Sequence, residues 1–497
     1  MRITNKMMSN NMMNNINKNK VNMTLLEQQY STGKKIQRPS DDPIITVRAL
    51  KLRTNLSEIE QYYEKNIPDA KSWMDVTESA LSTVNKALKG INTYCIQGST
   101  DTLTAEDRES VVQNLEQLKN QIYQEGNTNY AGRYVFTGFK TDSSLIFTED
   151  TKNLNYKITE SIKGTQIKID SIVTGGYELE DFDNPAVTFN TAPSSTDTYR
   201  IQLSYDNLSN TPIENIRYSK SIAGQEPVEQ SPITGITKLS VSDENAYKPA
   251  PDKAHFIYET GEIILGKDLY EELRTADKIE FDYNKNEFAN GDLRPEHYFN
   301  CTRTDTDKPE IEPVNFEKTT QQIQYEINYN QKLTINTEGA DAISHKIGRD
   351  IDDILNSVDE VKATEKTIGD VKKRLEDNSL SDTQRQRYER MLEQLDTELV
   401  LKKDLMQKAF EKGISSSLSE QDRVNTAVAD LGSRYVRLEL TENRLSSQKV
   451  DFEDLLTKNE DVDLVDTVIK YNSAETIYKA SLSAAAKVVK NTLLDFL

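Results

Sequence analysis

The chain has 497 residues, 29% of them charged and 36% hydrophobic, and a formal net charge of −20. That length suits about two to four domains, and the acidity argues against nucleic acid as a default partner, because phosphate backbones bind basic surfaces. Two cysteines far apart, Cys95 and Cys301, support neither a disulfide framework nor a zinc site.

The charge is uneven. Residues 1–38 carry Arg2, Lys6, Lys18, Lys20, Lys34, Lys35 and Arg38 against one acid, Glu27. A basic start suits a targeting peptide, yet Met and Ile here are scattered among Asn and Lys, with no apolar run and no small-residue cleavage site. A Sec signal peptide is therefore not expected. Without Trp or Phe anchors, a membrane-surface helix is weakly supported as well. No stretch approaches the ~18 apolar residues of a membrane span.

From Leu56 onward positions step by threes and fours, Leu56, Ile59, Tyr63, Asn66, Ala70, Trp73, Thr77, Ala80, Val84, Ala87, Ile91, Tyr94, all apolar or aromatic but Asn66 and Thr77. This spacing is a coiled-coil seam, and residues 44–97 as one helix would span roughly 80 Å at ~1.5 Å per residue. Pro68 interrupts it, so a kink or break is expected near Ile67. Thr104 and Asp107 resemble a capping box for a second helix, with Val111, Leu115, Leu118 and Ile122 on its apolar face.

Between residues 145 and 335 the period changes to two, as in Tyr199-Arg200-Ile201-Gln202-Leu203, Ile279-Glu280-Phe281-Asp282-Tyr283 and Ile323-Gln324-Tyr325-Glu326-Ile327. Thr260-Gly261 marks a hairpin turn. The fold class is thus mainly α with an inserted β-rich domain. Helical spacing resumes near residue 340. Residues 350–412 read as a helical hairpin turning at 377–382, and residues 418–455 as a further helix with Val424, Ala427, Leu431, Leu438, Leu445 and Phe452 on one side. Residues 456–463 are acidic and polar, a joint.

The last stretch repeats the seam with Leu464, Val468, Tyr471, Tyr478, Leu482, Ala485, Val489 and Phe496, interrupted by Glu475 and Thr492. One apolar seam on a lone helix does not outweigh the entropy of ordering it. Those eight apolar residues are therefore the expected assembly interface, and residues 1–43 and 464–497 are expected to become helical only against neighbours. The bland alternative is an ordinary intrachain coiled coil. The chain divides into terminal assembly helices (1–43 and 460–497), a helical bundle (44–141 and 340–459) and an outer β domain (142–339).

Catalytic chemistry finds little support. His255, His297 and His345 lie in separate regions without metal spacing, and phosphate-binding and nucleophile-elbow motifs are missing. The Asp352-Asp353 pair reads as a solvated helix face, and Cys95 as a small core residue. No enzyme activity, cofactor or metal is expected.

Four segments resemble the flagellin family: MRITNKMM at 1–8, LLEQQYSTGKKIQRPSDDP at 25–43, NYAGRYVFTGFKT at 129–141, and the closing EDVDLVDTVIKYNSAETIYKASLSAAAKVVKNTLLDFL at 460–497. The run Arg38, Pro39, Ser40, Asp41, Asp42, Pro43 leans toward the family's hook–filament junction subunits rather than its filament flagellins. The resemblance implies terminal helices packed between subunits in an inner tube and middle domains facing outward. It implies an extracellular place in the flagellum, between another hook-associated protein and the flagellin filament, with self-association in a ring. It further implies unfolded export by the flagellar type III route without a cleaved signal peptide, with a cytosolic chaperone on the C-terminal region. The hairpin at 350–412, the size of the β region and Pro68 depart from the family's compact form. The alternatives are a filament flagellin or, outside the class, a non-flagellar coiled-coil adaptor or surface-binding helical protein.

Overall fold

The computed structural model describes residues 5–100, 103, 105–182, 187–221, 227–243, 245–308, 310, 312–376 and 380–490. Its helices are α1 (Asn5–Thr32), α2 (Pro43–Gln61), α3 (Ile67–Gly98), α4 (Ala105–Glu125), α5 (Lys267–Leu273), α6 (Gly339–Ala342), α7 (His345–Leu375), α8 (Asp382–Glu460) and α9 (Leu464–Lys490). A small ribbon, β1 (Asn129–Tyr130) and β2 (Arg133–Tyr134), follows α4. The chain forms two compact units. One comprises Met1–Ala70, Tyr325–Leu333 and Val436–Leu497; the other comprises Lys71–Gln324 and Thr334–Tyr435. The expected class, mainly helical with an inserted β-rich region, is the observed one. Thr104, the proposed cap of the second helix, lies outside the described residues, as do residues 377–379 of the expected hairpin turn.

In the first unit the break expected at Pro68 takes a specific form. Between α2 and α3 the backbone opens into one π turn, Tyr62–Asn66, with the Ile67 N–H donating to the Tyr62 carbonyl. Proline lacks an N–H, and its ring crowds the carbonyl four residues back; a wider turn accommodates both. Strands β15 (Gln324–Asn328) and β16 (Gln331–Thr334) form a hairpin beside it, where the Asn66 amide donates to the Glu326 carbonyl at 2.8 Å and the Tyr325 hydroxyl to Asp69.

In the second unit the predicted seam is core. Trp73, Thr77, Ala80, Val84, Ala87 and Ile91 are buried within the chain. So is an adjoining row, Met74, Leu81, Leu88 and Cys95, which the single-seam reading omits. Helix α3 is therefore covered over a wide stripe and not only along a narrow seam. Glycines let its neighbours approach. A Cβ at Gly98 would run into the Phe410 ring of α8, and one at Gly413 would sit 2.9 Å from the Cys95 sulfur and 2.8 Å from Ile354 Cδ1. Gly413 lies inside α8, which runs unbroken for 79 residues. The separate helices expected up to 412 and from 418 are thus one helix, because the glycine serves close packing and not a break.

The β region is a sandwich. One sheet has the order β4-β5-β11-β10-β9, from β4 (Lys168–Thr174), β5 (Ser194–Gln202), β9 (Thr237–Leu239), β10 (Ala254–Ile257) and β11 (Glu262–Leu265). The other has the order β14-β13-β3-β12-β6-β7 with β8 also on β6, from β3 (Leu154–Ile162), β6 (Asn215–Lys220), β7 (Val228–Glu229), β8 (Ile233–Thr234), β12 (Lys278–Lys285), β13 (Asn300–Asp305) and β14 (Val314–Phe316). Alternating residues of both sheets, among them Tyr156, Ile158, Ile201, Phe256, Ile263, Ile279 and Phe281, fill one core. The expected turn at Thr260-Gly261 closes β10 on β11, with Gly261 at φ +64° against the Tyr205 carbonyl.

The outer face of the five-stranded sheet meets α7 through charge. Arg200 of β5 pairs with Asp353 at 2.6 Å, Glu262 at 2.6 Å and Asp170 at 2.8 Å. Lys168 pairs with Asp350 at 2.9 Å, and Lys412 of α8 with Asp170 at 3.1 Å. Arg349 donates to the carbonyls of Leu203 and Thr260. Asp352 and Asp353, expected on a solvated face, are here partly buried and paired, Asp352 with Lys119 at 2.7 Å. Burial pushes the Asp353 carboxyl up, but Arg200 and Lys412 outweigh it and hold it below its ordinary value. Further along the helical hairpin, the β4–β5 loop packs Phe189 between Ile368, Val371, Tyr388, Met391 and Leu395.

Two variants test this packing by urea unfolding followed through Trp73, the only tryptophan. Asp353→Asn is expected to destabilise its unit by about 1.5–3 kcal/mol, because it takes one of three carboxylates from Arg200 and a hydrogen bond to a charged group contributes about that much. Gly98→Ala is expected to cost about 1–3 kcal/mol through overpacking on Phe410; an unchanged midpoint for either would contradict the packing described.

Candidate assembly site

The two ends of the chain meet. Helices α1 and α9 run antiparallel along one seam, in which α1 contributes Met12, Ile16, Asn19, Met23, Leu26 and Gln29, and α9 contributes Thr467, Val468, Tyr471, Ala474, Glu475, Tyr478, Ser481 and Ala485. All other described side chains of the two helices are exposed. The seam is mixed: Ile16 on α1 and Thr467 and Ala474 on α9 are its buried centre, Met23, Leu26, Tyr471 and Tyr478 are half-buried beside them, and the Asn19 amide donates to the Ser481 hydroxyl at 2.9 Å.

Of the residues expected to form an assembly interface, Val468, Tyr471, Tyr478 and Ala485 are half-buried in this seam. Leu464 and Leu482 are exposed. The side chain of Val489 and all of Phe496 lie outside the described residues. The sequence reading missed Val465, Ile469 and Ile477, which are 71%, 60% and 54% exposed. Their signal was present: each is a large apolar residue next to a seam position, Val465 after Leu464, Ile469 after Val468 and Ile477 before Tyr478. On α1, Met13, Val21 and Tyr30 are exposed in the same way.

The motif at 38–43 builds the entry to α2. Pro39 sits in a turn closed by the Asp41 N–H on the Arg38 carbonyl at 3.0 Å. The Asp41 carboxylate accepts the N–H groups of Gln37 and Arg38 at 3.1 and 2.8 Å. Asp42 caps the helix, accepting from the N–H of Ile44 at 2.9 Å and of Ile45 at 3.1 Å, and Pro43 takes the first helical position, where a missing N–H is harmless. Of the stretch 456–463 read as a joint, only residues 461–463 are one: α8 runs on to Glu460 and α9 begins at Leu464.

No competing chemical site emerges among the described residues. No group of three or more His, Cys, Asp or Glu there could hold a metal ion, and no helix is long and apolar enough to cross a membrane. Cys95 is buried, and burial pushes its thiol up to about 12. Two of the histidines, which lie in separate regions of the sequence, are buried. His297 faces the Ser144 carbonyl at 3.1 Å. His345 opens α7 inside a cage of Tyr205, Tyr298 and Phe299.

Burial lowers His297 to about 4, and burial together with Arg349 lowers His345 to about 3. Both folded values lie below the unfolded value of ~6.5, so the stabilisation from neutral imidazole is complete above that pH and is lost as pH falls toward 4. His345→Phe is expected to remove part of this dependence, gaining about 2–3 kcal/mol relative to the parent between pH 6.5 and 4.5. Urea titrations at the two pH values check it; equal losses in both proteins would contradict it.

Comparison with known proteins agrees with this geometry. Residues 3–141 match the bacterial flagellin N-terminal helical region. The chain is 30% identical over 185 residues to flagellar hook-associated protein 3 of Escherichia coli, covering 37% of this chain and 57% of that protein. It is 30% identical over 126 residues to a flagellin of Clostridium tyrobutyricum, covering 25% of this chain and 33% of that one. These matches span about half or less of the relatives' own length. A solved hook-associated protein 3 from Legionella pneumophila aligns over 82% of this chain and 97% of that one at 13% identity, and its TM-score of 0.28 carries no weight. Residues 3–141, which end with the segment NYAGRYVFTGFKT, are thus similar to the N-terminal helical region of bacterial flagellin.

Proposed function

We propose that this chain is a structural adaptor of the bacterial flagellum, standing between a hook-associated protein and the flagellin filament as one member of a ring. The observation that carries the reading is the α1/α9 pair. Its inner seam mixes apolar with polar side chains, and Val465, Ile469, Ile477 and Leu482 are left facing outward. Each such side chain gains about 1.5–3 kcal/mol on burial, so the pair is completed by neighbouring copies. Similarity to hook-associated protein 3 favours the junction. Export through the flagellar type III route, with a chaperone on the C-terminal region, follows from the same reading. Similarity to a flagellin supports a second reading, a filament subunit.

Electron microscopy of a deletion strain separates the two. Loss of a junction adaptor leaves hooks without filaments and flagellin in the medium; loss of a filament subunit leaves hooks that still carry junction rings; intact flagella refute both. Ile469→Asp and Leu482→Asp are expected to leave Trp73 fluorescence and far-UV helicity unchanged while blocking incorporation into flagella. Amide exchange across α1 and α9, formed but weakly held in the dilute chain, is expected to be faster than across α3 and to slow after assembly.

A further inference from the structure

Only two connectors join the α1/α9 pair to the rest of its unit: residues 33–42 leaving α1 and residues 461–463 entering α9. Since every described side chain of the pair outside its own seam is exposed, no packed face holds it against α2 or α8. Its direction depends on what crosses this elbow.

The crossing is polar and ordered. The connectors run antiparallel, with a bridge between Lys34 and Asp461. The Lys35 N–H donates to the Glu460 carbonyl at 2.7 Å, and the Val462 N–H to the Gly33 carbonyl at 2.9 Å. Gly33 takes φ +69°, the left-handed conformation that lets the chain turn directly off α1. At the centre is Glu460, the last residue of α8, whose side chain is only 5% exposed. Its Oε2 accepts from Lys34 Nζ at 3.3 Å and from the Arg53 guanidinium of α2 at 2.7 Å. Lys34 also donates to Asp461 Oδ1 at 2.5 Å. One enclosed carboxylate therefore ties together a connector, α2 and α8.

We propose that Glu460, with Lys34 and Arg53, is an ionic lock that fixes the direction of the terminal helix pair, and that opening it turns the two connectors into a hinge. The chemistry suits a reversible device. Lys34 and Arg53 are roughly half exposed, so each exchanges a carboxylate for water at little cost, while Glu460 loses its enclosure only when the elbow swings open. An apolar contact of the same extent would hold the pair without being released by charge. The lock belongs to the single chain and does not depend on a flagellar role.

Distances between spin labels on the full chain test it, with Asn443→Cys on α8 and Ser483→Cys on α9 carrying the labels. Cys95 and Cys301 are buried with raised thiols and do not compete for label. The parent is expected to give one narrow distance population. Glu460→Gln is expected to spread it over several, with far-UV helicity unchanged. Arg53→Gln, which changes a half-exposed side chain and leaves Lys34 in place, is expected to broaden it less. Any of three results overturns the lock: a parent that is already broad, a narrow population retained in both variants, or helicity lost together with the distance in Glu460→Gln.

Discussion

Arg200 meets three carboxylates from three elements, Asp170 on β4, Glu262 on β11 and Asp353 on α7. That meeting seats an inserted β sandwich on a helical scaffold. Lys168 and Lys412 extend the network, and Arg349 reaches back from α7 to the carbonyls that end β5 and close the β10–β11 turn. An insertion whose two ends lie far apart in sequence needs such a seat, because loop connections alone leave it free to reorient. The cost is desolvation, and it is met only where every charge keeps a partner. The interlocked arrangement, in which Asp170 and Asp353 each serve both Arg200 and Lys412, meets that condition.

The two ends of the chain follow the opposite logic. At Arg200 everything is paired within the chain. Along α1 and α9 the pairing is incomplete, with Asn19, Thr467 and Ser481 inside and Ile469 and Ile477 outside. A helix that keeps a row of large apolar groups outward is poorly satisfied alone and well satisfied in company.

Much of this was legible in the sequence. Spacing by threes and fours located α3 and α9, alternation located the sandwich, and the polar run before Leu464 located the joint. Asp42 and Pro43 could be read as a helix entrance because cap chemistry is local. What escaped was set by tertiary partners. The second buried row of α3 was invisible because one helix pattern cannot say how many neighbours surround it. The acidic pair at 352 and 353 looked solvated because its cations, Lys119 and Arg200, lie far away in the chain. The single helix through 412 and 418 was divided in two because a glycine that breaks a helix and one that, like Gly413, admits a neighbour are the same letter. The outer row of α9 was missed for a related reason: a seam seeks the best single stripe, and this helix carries two.

The glycine contacts have a consequence for how such a chain can change over generations. Gly98 and Phe410 fill one volume between them, as do Gly413 and the pair Cys95 and Ile354. A methyl group enters at 98 without strain only after the ring at 410 has shrunk, and a smaller ring at 410 leaves a void until something enters at 98. Either order passes through a less stable intermediate. Positions distant in the sequence are thereby bound to a shared history, and their substitutions in related chains should come in compensating pairs.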